Sequence, residues 1–557
     1  YIFGYPGGVV IPLFDALYDE KKLKVILPRH EQGAAHMADG YARATGKVGV
    51  CLATSGPGAT NTVTGIATAN MDSIPMVVIT GQVATGMIGN DAFQEVDITG
   101  ITRSITKHNY LVRDIKDLAR TIKEAFHIAN TGRKGPVLID IPVDVFKAVY
   151  EFHYPDKLEI RGYNPNTEGH TGQMKKAMKM LMSAERPVII AGGGVILANA
   201  SEELSAFVEK CQVPITTTLL GLGCFNSHHP LWLGMPGMHG TFYANYAITE
   251  SDLILSIGAR FDDRVTGKLD AFAPKAKVVH VDIDPTSISK SVIADVPIVG
   301  DCKTILPELT KLVDKCKIEN WLNRIRDWKN QYPLEYKSSD NVIKPQYVIE
   351  TISRLTKGDC IITTEVGQNQ MWAAQFFQFV KPRTFLTSGG LGTMGYGFPS
   401  AIGAQFGFPD KIVVDIAGDG SIQMNIQELA TVAVYDLPVK VVILNNGYLG
   451  MVRQWQELFY DKRYSSTCLQ RELDCPVSCK GTNKLECVKY IPDFVALAGA
   501  YGINGVRVTD PKDVEKVLEQ ELFSGKASVM EFVIDREEKV FPMVPAGKAI
   551  NEIMGMA

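Results

Sequence analysis

Short β-branched apolar runs alternate with helical stretches along most of the 557 residues. The runs include Val48–Thr54, Met76–Gly81, Val137–Ile141, Val188–Ala191, Leu253–Ile257, Val278–Val281, Ile361–Thr363, Ile412–Ile416 and Val439–Leu444. Near-continuous apolar strands separated by helices predict parallel sheets covered on both faces. Two polar segments divide the pattern: Tyr154–Gly172, rich in Pro, Gly and Asn, and about Gln331–Lys344, which follows a charged helix over Glu319–Asn330. The expectation is an α/β chain of three doubly wound parallel-sheet domains, at about 1–160, 173–330 and 345–557. Val50–Gly81 and Val413–Asn446 both read strand, glycine-rich turn, helix, strand, so the first and third domains are expected to share a fold.

Length agrees, because single cores stop growing near ~250–300 residues. Hydrophobic residues at 46% and charged residues at 21% exclude a disordered or fibrous chain. The longest apolar runs fall short of the ~20 residues that span a bilayer. A net charge of −4 without a basic stripe gives no sign of a nucleic-acid partner. The ten cysteines are scattered except for four late ones, and a reduced intracellular setting is the default. The chain starts at Tyr1 rather than Met, so its natural N-terminus is expected to lie upstream.

The third domain carries the strongest chemical signal. A buried strand ends at Gly418-Asp419-Gly420, a helix is expected over about Asn425–Tyr435, and strand Val439–Leu444 ends at Asn445-Asn446. Ligands collect at the carboxyl ends of parallel strands. Asp419 and Asn446 offer hard oxygens suited to Mg²⁺. The flanking glycines allow close approach of phosphate, and the following helix start favours an anion. Gly-Asp-Gly, 24 intervening residues and Asn-Asn match the thiamine-diphosphate-binding motif. That match implies a metal held by Asp419, Asn446 and the backbone carbonyl of Tyr448, with Gly418, Gly420 and Ser421 beside the diphosphate. Thiamine chemistry also needs a carboxylate on the aminopyrimidine. Glu31, where strand Val25–Leu27 meets the small-residue helix Gly33–Arg43, is the leading one. A helix-start glutamate favoured by the macrodipole is the plainer reading of the same residue.

Further motifs bring a closer resemblance. They include Phe3–Gly8, His30–Ala34, Thr54–Asn61, Asp91–Glu95, Gly258–Gly267, Thr387–Gly397 and Gly450–Trp455. With these the chain resembles the catalytic large subunits of acetohydroxyacid synthase, also called acetolactate synthase, over nearly its whole length. The resemblance implies the thiamine-diphosphate-binding fold flanking a central FAD-type Rossmann-like domain. It also implies a reaction: hydroxyethyl-thiamine diphosphate derived from pyruvate condenses with a second 2-ketoacid, pyruvate or 2-ketobutyrate. Acetolactate or acetohydroxybutyrate results, for branched-chain amino-acid biosynthesis.

Residue roles carried over by the resemblance are as follows. Arg264 would anchor the second ketoacid carboxylate, with Trp455 and Met451 shaping its pocket. The alternatives are an ion pair with Asp262 or Asp263, and core packing of the Trp. Phe93 and Gln94 would lie near the reacting carbons. Gly8 and Gly392 would allow close backbone approach, and Met394 would prop the cofactor. Val366, Gly367, Gln368 and Asn369 would contact the diphosphate. Gly192-Gly193-Gly194 lacks the GxGxxG spacing and by itself is a structural turn. With Arg133, Met238, His239, Gly258, Arg260, Asp282 and Asp301 it would hold FAD in a structural role. The resemblance further implies a homodimer or homotetramer with Glu31 facing the other subunit's cofactor, a small regulatory subunit, and a cytoplasmic or organellar (stroma or matrix) location.

Departures from the family are Val143 for Lys, Asn369 for His and Ala84 for Pro. A segment, Thr467–Tyr490, adds Cys468, Cys475, Cys479 and Cys487. Their spacings lack CxxC pairs, leaving a tetrahedral metal, free thiols or a surface disulfide open. A pyruvate oxidase using the same two cofactors is the main functional alternative, and Arg264 with Trp455 argues against it.

Overall fold

A computed structural model describes residues 1–470 and 492–555, and in it the apolar runs form three sheets. The first contains β1 (Ile2–Gly4), β2 (Val25–Ile26), β3 (Gly49–Ala53), β4 (Met76–Gln82), β5 (His108–Leu111) and β6 (Pro136–Pro142), in the order β2-β1-β3-β4-β6-β5. The second contains β7 (Pro187–Ala191), β8 (Ile215–Thr217), β9 (Leu253–Ile257), β10 (Lys277–Asp282) and β11 (Val296–Val299), in the order β11-β10-β9-β7-β8. The third contains β12 (Ile361–Thr364), β13 (Phe385–Thr387), β14 (Val413–Gly418), β15 (Lys440–Asn445), β16 (Asn504–Val508) and β17 (Ser528–Val533), in the order β13-β12-β14-β15-β17-β16. The strands pair in parallel. Side chains of the inner strands are buried on both faces, which is why those strands read as continuous apolar runs, whereas the edge strands β5 and β16 are partly exposed.

Counted within each sheet, the first and third orders are the same, so the likeness of the two βαβ segments extends to the whole sheets. Each sheet has a switch point where its winding reverses, between β1 and β3, β7 and β9, and β12 and β14. There the crossovers leave toward opposite faces and open a crevice at the carboxyl ends of the strands.

The first and third sheets share one core. Helix Glu31–Thr45 packs against helix Gly397–Gly407, and Phe3, Met37, Phe398, Ile402 and Val413 lie in a single apolar cluster. Glycines set this approach: a methyl at Gly403 would land on the Met37 carbonyl, and one at Gly40 on the Ser400 carbonyl. The second sheet has its own core, including Phe207, Ile254 and Trp321. No helix among the described residues is long and apolar enough to cross a membrane.

The crossover from β14 to β15 differs from expectation. Instead of one helix over 425–435 there are two 3-10 turns, Ile422–Met424 and Ile426–Glu428, before the short helix Leu429–Val434. Asn425 interrupts the helix, with φ −135° and its Nδ2 donating 2.6 Å to the Gly395 carbonyl.

Candidate active site

Asp419 and Asn446 follow β14 and β15, neighbouring strands in register at Gly418 and Leu444. Asp419 Oδ2 accepts the Gly447 N–H at 2.9 Å, and Asn446 Oδ1 accepts the Tyr448 N–H at 3.0 Å, so the two strand-end turns are tied together. Burial pushes the Asp419 carboxyl up to about 7. A cation would reverse that, because it favours the ionised form. Tyr448 is buried between the guanidiniums of Arg453 and Arg536, 4.5 and 4.6 Å from its ring. Ser421 Oγ lies 3.3 Å from both the N and O of Gly418. A methyl at Gly420 would lie 2.8 Å from Leu449, so Gly420 is tight within the chain itself.

The anion-favouring helix start is not where the sequence placed it. Only the three-residue 3-10 turn Ile422–Met424 follows Asp419. The α-helix that opens at this switch point is Gln368–Phe376, directly after β12. Its N-cap, Gly367 at φ +146°, supplies no side-chain acceptor to the first-turn amides. A bound anion would satisfy such amides. Asn369 spends its amide hydrogens on the carbonyls of Ile416 (2.7 Å) and Glu365 (3.2 Å), bracing this turn against β14. Gln368 accepts from Asn446 Nδ2 at 3.2 Å and donates to Gln454 at 2.9 Å. It thereby couples the Asn446 turn to helix Gly450–Phe459, which carries Met451 and Trp455.

A cavity of about 600 Å³ opens beside this turn, where all three sheets meet. Val366, Gly367, Gly392, Met451, Trp455 and Arg264 line one part of it. Arg133, Gly193, Gly194, Met238, His239, Gly258, Arg260, Asp282 and Asp301 line the rest. Gly192 does not: a methyl there would strike the Gly258 carbonyl, and one on Gly194 would lie 2.7 Å from Gly258 Cα. These glycines let the turns after β7 and β9 touch at their switch point. Arg133 is held by Asp284 (3.0 Å) and Ser73 (2.9 Å), and Arg260 by the Met71 carbonyl (2.7 Å). Asp301 caps helix Cys302–Leu312 through the Lys303 N–H at 2.8 Å. Burial lowers His239 to about 4 and raises Asp282 to about 6. His239 is therefore neutral at pH 7.

Arg264 is more than half exposed; its Nη1 lies 3.5 Å from Met238 Sδ and its Nε 3.7 Å from an exposed Asp263 carboxylate. Such a surface pair contributes little, leaving the guanidinium available to the cavity. Trp455 Nε1 is buried with no acceptor among the described residues. Met394 is half-buried and does not line the cavity.

The remaining sequence-chosen residues form a separate group in the first sheet's switch-point region. Glu31 is the first residue of helix Glu31–Thr45, and its Oε2 accepts a 3.0 Å hydrogen bond from Asn61 Nδ2. A methyl at Gly58 would lie 3.3 Å from Glu31 Oε1, and one at Gly56 2.8 Å from the Gln94 carbonyl. The turn after β3 thus bridges Glu31 and Gln94. Gln94 takes φ +59°, rare for a side-chain-bearing residue, and Phe93 is 89% exposed. A methyl at Gly8 would meet nothing within 4 Å, so nothing within one chain requires glycine there. Among the described residues no hydrogen bond or ion pair joins Glu31 to Asp419 or Asn446 within one chain.

Sequence reasoning missed Asn61 as a partner of Glu31, although it lies in the Thr54–Asn61 motif. It also missed Asp72, which accepts the N–H groups of Gly389 (3.0 Å) and Gly390 (2.7 Å) and so shapes the cavity wall. No local signal marks Asp72, because the two glycines lie more than 300 residues away and its ion-pair partner Arg43 (2.8 Å) sits on a different element 29 residues away.

Among the described residues no three His, Cys, Asp or Glu side chains gather as a metal site. The Asp419 turn has one carboxylate, with amide and carbonyl oxygens around it. Cys51, Cys211, Cys224, Cys302, Cys316 and Cys360 are buried free thiols. Cys468 bridges Tyr448 in a short antiparallel contact, whereas Cys475, Cys479 and Cys487 lie outside the described residues.

Family profiles described as the thiamine pyrophosphate enzyme N-terminal TPP binding domain, central domain and C-terminal TPP binding domain match residues 1–101, 174–309 and 365–532. The chain is 49% identical to the acetolactate synthase large subunit of Buchnera aphidicola subsp. Schizaphis graminum, over 99% of this chain and 95% of that one. It is 47% identical to the acetolactate synthase isozyme 3 large subunit of Escherichia coli, over 99% and 95%. A third relative, from Cyanidium caldarium, is 47% identical over 100% and 94%. The chain therefore belongs to the thiamine pyrophosphate enzyme family and, within it, to the acetolactate synthase large subunits.

Proposed function

We propose that this chain is the catalytic subunit of an acetolactate synthase, joining a two-carbon unit from pyruvate to a second 2-ketoacid with loss of CO₂. The observation that carries the reading is the meeting of Arg264, Trp455 and Met451 with the Val366-Gly367 turn on one cavity wall. An exposed guanidinium recognises a ketoacid carboxylate by a bidentate pair, while an indole and a thioether present apolar surface to its short side chain.

Thiamine diphosphate fits the third sheet's switch point, given the amides at Gln368 with no side-chain cap. Mg²⁺ fits the buried Asp419 carboxylate with the Asn446 amide and the Tyr448 carbonyl, a hard-oxygen set. When bound, the thiamine cofactor supplies an electron sink for 2-ketoacid decarboxylation. Glu31 would hold a proton at the cofactor's aminopyrimidine, steadied by Asn61. Gln94 and Phe93 would border the reacting carbons. FAD fits the remainder of the cavity: Arg133 and Arg260 supply cations, and Gly193, Gly194 and Gly258 line it with backbone. A homodimer or homotetramer, with Glu31 facing the other subunit's cofactor, belongs to the same reading. A small regulatory subunit and a cytoplasmic or organellar setting belong to the same reading.

The deciding experiment incubates purified chain with pyruvate, Mg²⁺, thiamine diphosphate and FAD, and assays acetolactate with and without oxygen. Acetolactate in both arms is expected. No acetolactate in either arm overturns the proposal, and acetate or acetyl phosphate formed only with oxygen points instead to an oxidase.

A further inference from the structure

Glu428 is fully buried in the crossover from β14 to β15, nine residues after Asp419, and has no part in the chemistry above. Its partners lie mostly in the first sheet's region. Oε1 and Oε2 accept the Arg29 N–H at 2.9 and 3.1 Å, and Oε2 also accepts the Thr431 hydroxyl at 2.6 Å. The His30 N–H turns toward the same carboxylate. Tyr435, seven residues on, accepts the Leu27 N–H through its hydroxyl at 2.9 Å. Gly33 is pressed against the same group: a methyl there would lie 2.5 Å from Glu428 Oε1.

These contacts hold both sides of one residue. Leu27, Arg29 and His30 precede Glu31, and Gly33 follows it by half a turn. The carboxyl oxygens are thus side-chain acceptors at the entry to helix Glu31–Thr45. Removing them would leave amides without an acceptor, a costly state.

We propose that Glu428, assisted by Tyr435, is a positioning residue for Glu31: it fixes the entry of the helix that presents the working carboxylate. The inference rests on the reading in which Glu31 serves the cofactor. It also means that the segment bearing Asp419 supports, in the same chain, the loop bearing Glu31.

The test uses the full chain without cofactors and the variants Glu428→Ala, Glu428→Gln and Tyr435→Phe. Amide hydrogen exchange is followed in a peptide covering 27–33, with the β3 peptide over 49–53 as control. Glu428→Ala is expected to speed exchange at 27–33 about tenfold and leave β3 unchanged. Glu428→Gln, which keeps one acceptor oxygen, should fall between it and the parent. In the acetolactate assay kcat should drop on the order of 100-fold for the Ala variant, as small misplacements do, with KM for pyruvate within about twofold and partial recovery in Gln. Unchanged exchange, or faster exchange at 27–33 with unchanged kcat, overturns the proposal. Should Glu428→Ala not fold, Tyr435→Phe decides: faster exchange at Leu27 with lower kcat supports positioning, and parent-like values for both overturn it. If the parent chain makes no acetolactate, the functional reading fails, while the exchange comparison still tells whether Glu428 holds the loop.

Discussion

The first and third sheets wind their six strands in the same order, yet their switch points are equipped for opposite tasks. After β12 and β14 stand a buried carboxylate, amide groups and a helix start lacking a side-chain cap, a combination whose chemistry suits a cation beside an anion. Around β1 to β3 stand a half-exposed glutamate, its Asn61 partner and several glycines, an arrangement that presents one proton-carrying group. The scaffold determines where a ligand can approach. The few residues beyond the strand ends determine what it meets. The two sheets also differ in dependence, since the third sheet's crossover grips the first sheet's Glu31 loop through Glu428 and Tyr435.

The sharpest break of this comparison is Glu31→Gln. It should lower acetolactate formation by ~10²–10⁴-fold while circular dichroism and melting stay close to the parent. Substantial remaining turnover would remove Glu31 from the role given to it. Next comes Asp419→Asn on the opposite sheet. It should weaken Mg²⁺ dependence by more than the ~10–100-fold typical of an outer-shell partner, read by Mg²⁺ titration of activity and of intrinsic fluorescence. An unchanged titration would place the cation elsewhere.

Third in size is the contact between the two sheets. Gly403→Ala drives a methyl into the Met37 carbonyl. It should cost about 1–3 kcal/mol or more, seen as a lower thermal midpoint. A parent-like midpoint would mean that the helices separate without penalty.

The smallest effect is a pH slope. Asp140, on β6, is buried against Thr80 and Gln82, and burial raises it from 3.8 to about 7. Between those values the folded chain binds a proton that the unfolded chain does not. Asp140 therefore makes stability fall as pH rises from about 4 to 7, by at most ~1.4 kcal/mol per pH unit. Asp140→Asn should flatten that slope in denaturant titrations at several pH values. The flattening should be partial, because burial raises Glu365 and Asp415 in the third sheet as well. A slope equal to the parent's would show that Asp140 stays charged on folding.

Much of this was legible in the residues. The nine apolar runs all became strands, because a strand buried on both faces is apolar along its length, whereas the partly exposed edge strands β5 and β16 carry no such run. Asp419 and Asn446 were legible because one βαβ unit converts their spacing into adjacent strand ends. The cavity residues from Arg133 to Trp455 were less so: the resemblance supplied them, and periodicity could not have gathered them. Where the reading erred, a long-range polar contact overrode local propensity. Asn425 is drawn to the Gly395 carbonyl, and the expected helix breaks there. The helix start favouring anions consequently falls at Gln368, on the other side of the switch point.

The sequence by itself determined the alternation of strands and helices, the three-sheet plan and the placing of Asp419 and Asn446 at adjacent strand ends. Those are properties of neighbouring residues or of fixed spacings along one crossover. The tertiary structure alone decided that Asp72 shapes the 389–390 turn, that glycines at 192, 194 and 258 bring two turns together, and that Glu428 holds the loop of Glu31. Each joins groups that no local pattern relates. A buried polar group takes whatever partner the packed sheets bring within reach, and leaving it without one is costly.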